Sequence, residues 1–544
     1  MEALDLLLIG FAQIADPSRM GFVLLGVVLG LLVGVIPGVG GTTGVAILLP
    51  VTVYLEPLSA IVMLAGIYWG AMYGGLITSI LFAVPGNPWS VAVMFDGRPL
   101  AMQGKAALAM SAGFVVSFVG ALIAAILFTF FALPFAELAL SFGPPEMFAV
   151  LLIAFGTFIG LGGAPAKAAI MIAAGFLLST VGFDVVTGQP RLTFGTITLM
   201  QGFHFVPITI GLFGLGEVLY NASERYKVQI EEMTRAAKLG FQDVLESVKA
   251  LFRHFWLVVF SSLLGFFTGV LPGAGATPAS FMSYGVAQKL SKHPEQFGKG
   301  AIEGVMAPEA ANNAAGTGSI LPMLVLGIPG SPTAAILMAG IFMWGFVPGP
   351  RLFVEQPEFV WGFIASLYVA NVAAVVICLT ATPLLALMLR TPYAILTPII
   401  VVLCIVGAFA IQNSMLDVWL VLIFGVLGFV LRKLAFPLAP LVVALVLGAP
   451  TEQALRQSLI MSDGSMLIFF ERAISGPLTV AALLLLFLPL LQLLWRRYRG
   501  KPDAAAAASS GSGRYFNRRT GRSVPSITSR LAPPRMISRL RLWP

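Results

Sequence analysis

The feature that most constrains this chain is the length of its uncharged segments. Phe22–Leu55 has 34 residues without a charge, Pro57–Phe95 has 39, and Ala310–Pro350 has 41. One helical crossing of a bilayer needs about 20 apolar residues, so each segment must turn back or break inside the membrane. Hydrophobic residues make up 58% of the chain and charged residues 10%, and the mean hydropathy is +0.94. The sequence therefore predicts an all-α polytopic membrane protein.

Charges and Pro-Gly pairs divide the apolar sequence into segments, which predict about 11–14 transmembrane or re-entrant helices. The longest polar interval, 221–253, has mixed charge and helical periodicity, and we expect an amphipathic connector on the cytoplasmic side. It separates a first membrane repeat, 1–220, from a second, 254–495, which includes additional C-terminal spans. Residues 496–544 form a basic segment that we expect to be disordered.

Two motifs occur once in each of these halves. The first reads GVIPGVGGTTGV at 34–45 and GVLPGAGATPAS at 269–280, with six identities in nine positions at an offset of 235: Gly34/Gly269, Val35/Val270, Pro37/Pro272, Gly38/Gly273, Gly40/Gly275 and Thr42/Thr277. The second reads PGNP at 85–88 and PGSP at 329–332. The shared order predicts an internal duplication, and an odd number of crossings per half would invert the repeats, which is the arrangement that we expect. Coincidence in a chain with 58 Gly is the alternative.

Proline and glycine inside such an apolar segment predict a broken helix, because proline removes a donor and glycine permits non-helical backbone. Opened backbone in a membrane must be covered by protein or face a wet cavity. A helix that restarts after the break directs free N–H groups and the positive end of its dipole into the gap, which suits a carboxylate. The alternative is that small residues only let helices pack closely. The predicted substrate-binding residues are Gly38, Gly40, Thr42, Thr43, Asn87, Gly273, Gly275, Thr277, Asn312, Asn313, Ser331 and Thr333.

Three polar residues lie close together in the apolar segment between the two Pro-Gly motifs of the second half. Glu309, Asn312 and Asn313 fall within about one helical turn, so they can share a face. Ionisable and polar groups at membrane depth are functional candidates by default. We predict that Glu309 and Asn313 bind a coupling cation, Na⁺ or H⁺, and the alternative for Glu309 is a helix cap near the interface.

Composition and motifs exclude several other functions. The net charge of +8 equals the eight Arg of residues 504–544, so the membrane body is electrically balanced and no nucleic-acid partner is expected. The 2 Cys and 3 His show no spacing typical of a disulfide or a metal site. The stretch GVGGTTG misses the dinucleotide fingerprint, and neither a Walker motif nor G-x-S-x-G is present. We expect no enzyme activity and no cofactor other than the coupling ion.

Four longer stretches make the chain resemble a known family: GVIPGVGGTTGVAILLP, AGIYWGAMYGGLITSILFAVPGNP, FDGRPLAMQGKA and FGKGAIEGVMAPEAANNAAGTGSILPMLVLGIPG. They are similar to the TctA family, the large membrane subunit of bacterial tripartite tricarboxylate transporters. The resemblance implies a cation-coupled secondary importer of small organic carboxylates in the bacterial inner membrane. It also implies two partners, a small four-span membrane subunit and an extracytoplasmic substrate-binding protein, and a homodimer is a further arrangement that we consider.

The chain departs from the family pattern near two of these motifs. Family members carry a polar residue before the first Pro-Gly of PGNP and a Thr before the DG, where this chain has Ala83 or Val84 and Met94. Fewer donors would suit a less charged or more apolar anion than citrate. Two other functions stay open, a passive organic-anion channel and a membrane-embedded enzyme.

Overall fold

The structure is a computed structural model that describes residues 2–36, 40–82, 86–161, 164–184, 187–223, 239–387, 393–498, 515–516 and 523–524. Gly38, Ala83 and Val84, to which the sequence analysis gave roles, lie outside these ranges, as do 224–238 of the predicted connector and most of the basic tail. Residues 1–487 form one compact unit and residues 488–544 another. The described chain is almost entirely helical, as the composition predicts.

The first half begins with eight helices. They are α1 (Glu2–Ile14), α2 (Pro17–Val35), α3 (Gly40–Leu48), α4 (Pro57–Phe82), α5 (Val91–Met102), α6 (Ala106–Leu140), α7 (Pro144–Leu161) and α8 (Pro165–Ser179). Short 3₁₀ turns follow α3 at Leu49–Tyr54 and precede α5 at Pro88–Ser90. Asp16 caps α2, since its side chain accepts the N–H groups of Ser18 and Arg19, and Pro17 follows the cap where its missing N–H does no harm.

A small hairpin and a π-helix end the first half. Strands β1 (Gly182–Phe183) and β2 (Pro190–Arg191) pair antiparallel, and α9 (Ile197–Met200) follows. Helix α10 (Phe205–Thr209) continues through the π-helical turn Ile210–Leu215 into α11 (Gly216–Ser223). Two ion pairs connect the hairpin region to the helix Ala439–Met461: Arg191 with Glu452 at 2.9 Å, and Arg456 with Asp184 at 3.0 Å.

The second half contains the remaining helices. They are α12 (Phe241–Arg253), α13 (Phe255–Val270), α14 (Ala276–Leu290), α15 (Glu303–Gly318), α16 (Ile320–Leu326), α17 (Pro332–Met343), α18 (Pro350–Glu355), α19 (Pro357–Leu387), α20 (Tyr393–Gln412), α21 (Met415–Lys433), α22 (Ala439–Met461), α23 (Ile468–Glu471) and α24 (Ser475–Tyr498). A 3₁₀ turn lies at Pro294–Gln296, and strands β3 (Tyr515–Phe516) and β4 (Ser523–Val524) form a second hairpin.

Helix α12 is the described part of the predicted connector. It meets α13 at an angle of 79°, so the amphipathic helix turns sharply away from the apolar one. Its partly buried Ala250 and Leu251 pack on a small core that includes Val116 and Met306, which explains why one face of α12 is apolar.

The lengths of the apolar helices show how the long uncharged segments are accommodated. Among the described residues, six helices are long and apolar enough to cross a membrane, or seven if the bent pair α12 and α13 makes one span. A further six apolar helices are shorter, with 10–17 residues. The sequence prediction of 11–14 included such short re-entrant pieces. Segment 22–55 is one example, because it divides into α2, α3 and a 3₁₀ turn rather than continuing as a rod.

Both predicted breaks are present. Helix α2 ends at Val35 and α3 begins at Gly40, while α13 ends at Val270 and α14 begins at Ala276. Gly40 and Gly275, which correspond in the repeated motif, both have a φ of +66°, where a side chain would be strained. The two interruptions therefore have the same left-handed backbone conformation at the corresponding glycine.

Each half also contains a helix pair in backbone contact. A Cβ atom at Gly34 of α2 would lie 2.5 Å from the Ala71 carbonyl oxygen of α4, and one at Gly269 of α13 would lie 2.2 Å from the Ala315 carbonyl oxygen of α15. Gly269 and Ala315 follow Gly34 and Ala71 by 235 and 244 residues. Only glycine permits such an approach. The pair α2 and α4 thus has a counterpart in α13 and α15.

In both halves the glycine of the second Pro-Gly element lies against the first helix of this pair. A Cβ atom at Gly86 would lie 2.5 Å from the Gly34 carbonyl oxygen, and one at Gly330 would lie 2.5 Å from the Gly269 carbonyl oxygen. Each half therefore brings its two Pro-Gly elements together on one helix pair, which is the geometry that an internal duplication predicts.

Candidate functional site

The first break is held by a single buried amide. Asn87 accepts the Gly41 N–H through Oδ1 at 2.8 Å and donates Nδ2 to the Ala71 carbonyl oxygen at 3.0 Å. Its side chain is 3% exposed. Because each end of the amide has a partner on a different helix, Asn87 positions the start of α3 against α4. Its predicted role as a direct substrate ligand would require it to release one of these bonds.

Ser331 holds the second break of the other half. Its Oγ accepts the Ala334 N–H at 3.1 Å, which caps α17, and lies 3.1 Å from Ser319 Oγ. The Gly330 N–H donates to the Ser319 carbonyl oxygen at 3.1 Å. Ser331 follows Asn87 by 244 residues, but its bonds differ, because Ser331 caps its own helix whereas Asn87 joins α3 to α4.

The two halves meet at these elements. Thr42 Oγ1, on α3, lies 2.8 Å from Thr333 Oγ1, on α17. On the corresponding surface of the other half, Ser280 of α14 donates to the Trp89 carbonyl oxygen at 2.7 Å. In each case the helix that restarts after the first break contacts the second Pro-Gly element of the opposite half. The broken segments of the two halves therefore contact each other in the structure.

The shared hydroxyls define the centre of this contact, which we call the threonine bridge (Thr42 and Thr333). Two hydroxyls joined to each other use one of their two protons, so one proton remains for a further acceptor. Thr42 is partly exposed, whereas Thr333 is 1% exposed. Tyr68, which the sequence analysis did not identify, places its hydroxyl among those of Ser319, Ser331 and Thr333. Hydroxyl groups and helix N-termini together can bind an anion.

The other predicted substrate residues near the breaks differ in their surroundings. Thr43 is 3% exposed, one residue beyond the bridge, and Thr277 is partly exposed in the first turn of α14. Gly275 lies near Ser331, since a Cβ atom there would be 3.5 Å from the Ser331 Cβ. Gly273 lies against Phe158, and a Cβ atom would come within 2.6 Å of that ring. Its small size is therefore needed for packing on α7.

A second cluster lies along α15, and we call it the Glu309 cluster (Ser117, Glu309, Asn312 and Asn313). All four side chains are fully buried. Ser117, on α6, donates to Glu309 Oε2 at 3.0 Å, and Asn312 Nδ2 donates to Glu309 Oε1 at 3.1 Å. Glu309 lies inside α15 rather than at its start, and its carboxylate accepts from side chains, which is not the arrangement of the helix cap that was the alternative. Ser117 was not among the predicted residues, because it comes from a distant apolar helix and no spacing relates it to Glu309.

Further polar residues, also missed, continue from this cluster. Tyr73 of α4 donates its hydroxyl to Asn371 Oδ1 of α19, and Asn371 Nδ2 donates to the Phe118 carbonyl oxygen at 2.9 Å. Tyr73 lies close enough to Glu309 to interact with it electrostatically. Among the described residues, no group of three or more His, Cys, Asp and Glu could hold a metal ion. A cation here would therefore depend on one carboxylate with neutral oxygens.

Asp96 connects two of the longer family-like motifs. It is fully buried on α5, and its Oδ1 accepts the N–H groups of Gly300 and Ala301 at 2.8 Å each, just before α15. Its Oδ2 accepts the Tyr284 hydroxyl at 2.8 Å. A carboxylate at the start of a helix is stabilised by the helix dipole. Asp96 thereby fixes the end of the helix that carries Glu309.

Comparisons with known proteins agree with the motifs. A family model described as the tripartite tricarboxylate transporter TctA family matches residues 20–443. An uncharacterized 52.8 kDa protein in the TAR-I ttuC' 3'region of Agrobacterium vitis is 39% identical over 492 residues, which cover 90% of this chain and 97% of that protein. An uncharacterized protein in the TAR-II ttuC' 3'region of the same organism is 41% identical over 227 residues, 42% of this chain and 94% of that protein.

No solved structure matches the chain. The family match spans most of the sequence and includes both pairs of Pro-Gly elements and the Glu309 cluster. The family is a component of transporters rather than a family of enzymes, and it works with two partner proteins in tripartite systems. Together with the apolar helices, this identifies a multi-pass membrane protein with a role in transport. The chain belongs to the tripartite tricarboxylate transporter TctA family.

Proposed function

We propose that this protein imports small organic carboxylates across the bacterial inner membrane, driven by a Na⁺ or H⁺ gradient. It would act as the large membrane subunit, with a four-span membrane subunit and an extracytoplasmic protein that delivers the substrate. The threonine bridge carries the proposal, because its two hydroxyl oxygens, 2.8 Å apart, join α3 of one half to α17 of the other.

The chemistry around the bridge suits a carboxylate. Helix α3 restarts at Gly40 and α17 at Pro332. Asn87 already accepts the Gly41 N–H and Ser331 the Ala334 N–H, and the other N–H groups of each first turn have no partner inside their own helix. The positive ends of the two helix dipoles add to the hydroxyl donors of Thr42 and Thr333. These groups recognise a negative charge with its oxygens, but they do not by themselves select one carboxylate from another.

The Glu309 cluster supports coupling to a cation. The side chains that hydrogen-bond to Glu309 are the uncharged Ser117, Asn312 and Asn313. A fully buried carboxylate with only neutral partners is costly unless a cation or a proton joins it. Helix α15 then connects this site to Ser319 and the second break, so cation and substrate sites would share one structural element. We also propose that the two halves are inverted relative to each other.

Reconstitution of the three subunits in liposomes tests the proposal. Uptake of labelled carboxylates is measured with a Na⁺ gradient, with a pH gradient and with neither, in the presence of the binding protein. Accumulation above the external concentration that ceases when ionophores collapse the gradient is the expected result. Equilibration without accumulation would support the passive channel instead.

A pair of glycine variants tests the site. Gly40→Ala places a Cβ atom 2.7 Å from Asn87 Oδ1 at a φ of +66°, and we expect it to abolish uptake. Gly285→Ala is the control, because nothing lies within 4 Å of a Cβ atom there. Normal uptake by Gly40→Ala, at equal amounts of inserted protein, would contradict the proposed site.

A further inference from the structure

The side-chain nitrogen of Asn313 lies at the centre of a shell of oxygen atoms. Nδ2 is 2.9 Å from Ser117 Oγ, 2.7 Å from Asn312 Oδ1, 3.1 Å from the Glu309 carbonyl oxygen and 3.4 Å from Glu309 Oε2. An amide nitrogen has two hydrogens, so it cannot satisfy four acceptors. Four oxygens, one of them from a carboxylate, therefore converge on one point with more negative potential than the NH₂ group balances.

The other end of the same amide is unsatisfied. Asn313 Oδ1 has no hydrogen-bond partner among the described residues, although Asn313 is fully buried. A buried amide oxygen without a partner is unfavourable. Simple reversal of the amide would bring Oδ1 among the other oxygens, which repel it. A cation at the centre of the shell would explain both observations, because it would take the place of the crowded nitrogen and give Oδ1 a partner.

We propose that Na⁺ binds at this point, which the structure assigns to Ser117 Oγ, Asn312 Oδ1, and the carbonyl and carboxylate oxygens of Glu309. The ion displaces the Asn313 NH₂ group, and the amide turns so that Oδ1 becomes a fifth ligand. Carboxylate, carbonyl and hydroxyl oxygens are the ligands of hard cations. A single carboxylate matches a monovalent ion, whereas Ca²⁺ sites have six to eight oxygen ligands. This inference rests on the proposed cation-coupled transport and names its ion and ligands.

The geometry favours Na⁺ over a proton on Glu309. Oε1 already accepts from Asn312, and Oε2 accepts from Ser117. A protonated carboxyl group becomes a donor, so Ser117 would have to turn from donor to acceptor. A metal ion uses the carboxylate as an acceptor, as the cluster already does.

The position of the shell on α15 explains how a bound ion would affect the substrate site. Glu309 and Asn313 lie on α15, and Ser319 follows directly after that helix and bonds to Ser331 and Gly330. The distance along the helix from Glu309 to Ser319 is roughly 15 Å. An ion that holds α15 to α6 through Ser117 therefore fixes the helix whose end holds the second break.

Thermal unfolding of the purified full chain tests the site without transport. The midpoint is measured as NaCl replaces KCl at constant ionic strength and pH, since a ligand that binds only the folded state stabilises it. We expect the midpoint to rise with Na⁺ in the wild type. Ser117→Ala removes a ligand and should need about tenfold more Na⁺ for the same rise.

Ser111→Ala is the matched control. Ser111 lies on the same helix and is equally buried, but its Oγ has no hydrogen-bond partner. We expect its Na⁺ dependence to equal that of the wild type. Equal Na⁺ requirements in Ser117→Ala and Ser111→Ala would overturn the assignment, as would equal effects of Na⁺ and K⁺ on the wild type.

Two further measurements keep the inference independent of variant folding and of the proposed function. Binding of ²²Na⁺ to the wild type should be displaced by Na⁺ but not by K⁺, and its absence overturns the site even if Ser117→Ala does not fold. In liposomes with all three subunits, uptake driven by a pH gradient without any Na⁺ also overturns the Na⁺ site but leaves cation-coupled import intact. Uptake that responds to neither gradient contradicts the proposed function itself.

Discussion

Thr42 and Thr333 place their hydroxyl oxygens 2.8 Å apart although 291 residues separate them along the chain. Thr42 belongs to the helix that restarts after the first break of one half, and Thr333 to the second Pro-Gly element of the other. The contact therefore shows that the two halves touch at this point. Both residues are also close to groups that suit an anion.

A double-mutant cycle measures this contact. We expect Thr42→Val and Thr333→Val each to raise the KM for the carboxylate, because valine keeps the shape but removes the hydroxyl. The double variant should be less impaired than the sum of the two, with a coupling of about 1 kcal/mol. Thr52→Val is the control, since the buried Thr52 hydroxyl bonds only to the Leu49 carbonyl oxygen of its own turn. Fully additive effects would mean that the bridge does not act as a unit.

Asn87→Ala should destabilise the protein. The substitution leaves the Gly41 N–H and the Ala71 carbonyl oxygen without their partner in a buried place, which lowers the free energy of unfolding by about 1–3 kcal/mol. Thermal unfolding in detergent checks this result. Ser90→Ala is the comparison, because Ser90 is fully buried nearby and its Oγ has no partner in the described part of the chain, and we expect it to be close to neutral.

Gly30→Ala should disrupt the pair of α2 and α4. A Cβ atom there would lie 2.2 Å from the Ile67 carbonyl oxygen, so the helices must separate, at about 1–3 kcal/mol or more. Gly21→Ala, on the same helix, meets nothing within 4 Å and should be tolerated. The amount of folded protein after detergent extraction distinguishes the two variants, and equal yields would contradict the close contact.

Asp96 is predicted to be a positioning residue for α15. Asp96→Ala leaves two N–H groups unpaired at the start of that helix, and we expect a lower unfolding midpoint together with a higher cation requirement for uptake. Asp96→Asn keeps an acceptor for these groups and should restore most of both. If Asp96→Asn restores the midpoint but not the cation requirement, the charge itself acts on the site and the positioning role is wrong.

The features that could be predicted from the sequence are those that the thickness of the membrane and the chemistry of proline and glycine require. The segment Phe22–Leu55 had to break because it is too long for one crossing, and the proline and glycines marked where. The two Pro-Gly elements could be placed in the same site because the motif occurs twice in the same order. Gly40 and Gly275 accordingly share one backbone conformation.

Contacts between distant helices were beyond the sequence analysis. Nothing in the spacing of Ser117 relates it to Glu309, because three-dimensional packing of α6 on α15 brings them together. Asn87 was predicted as a substrate ligand from its residue type, whereas the structure shows both ends of its amide bonded to backbone. Residue type indicates which groups can donate, but only the fold decides which of them are already engaged.

The backbone contact between α2 and α4 has a counterpart between α13 and α15. Because of these contacts, the residues that set the helix spacing differ from those that would select the solute. Main-chain atoms set the spacing of these pairs at positions such as Gly34 and Gly269, so exchanges of polar side chains at the openings leave that spacing unchanged. A chain built in this way can acquire preference for another solute through a few substitutions at positions such as Thr42 or Ser331, while its architecture stays the same.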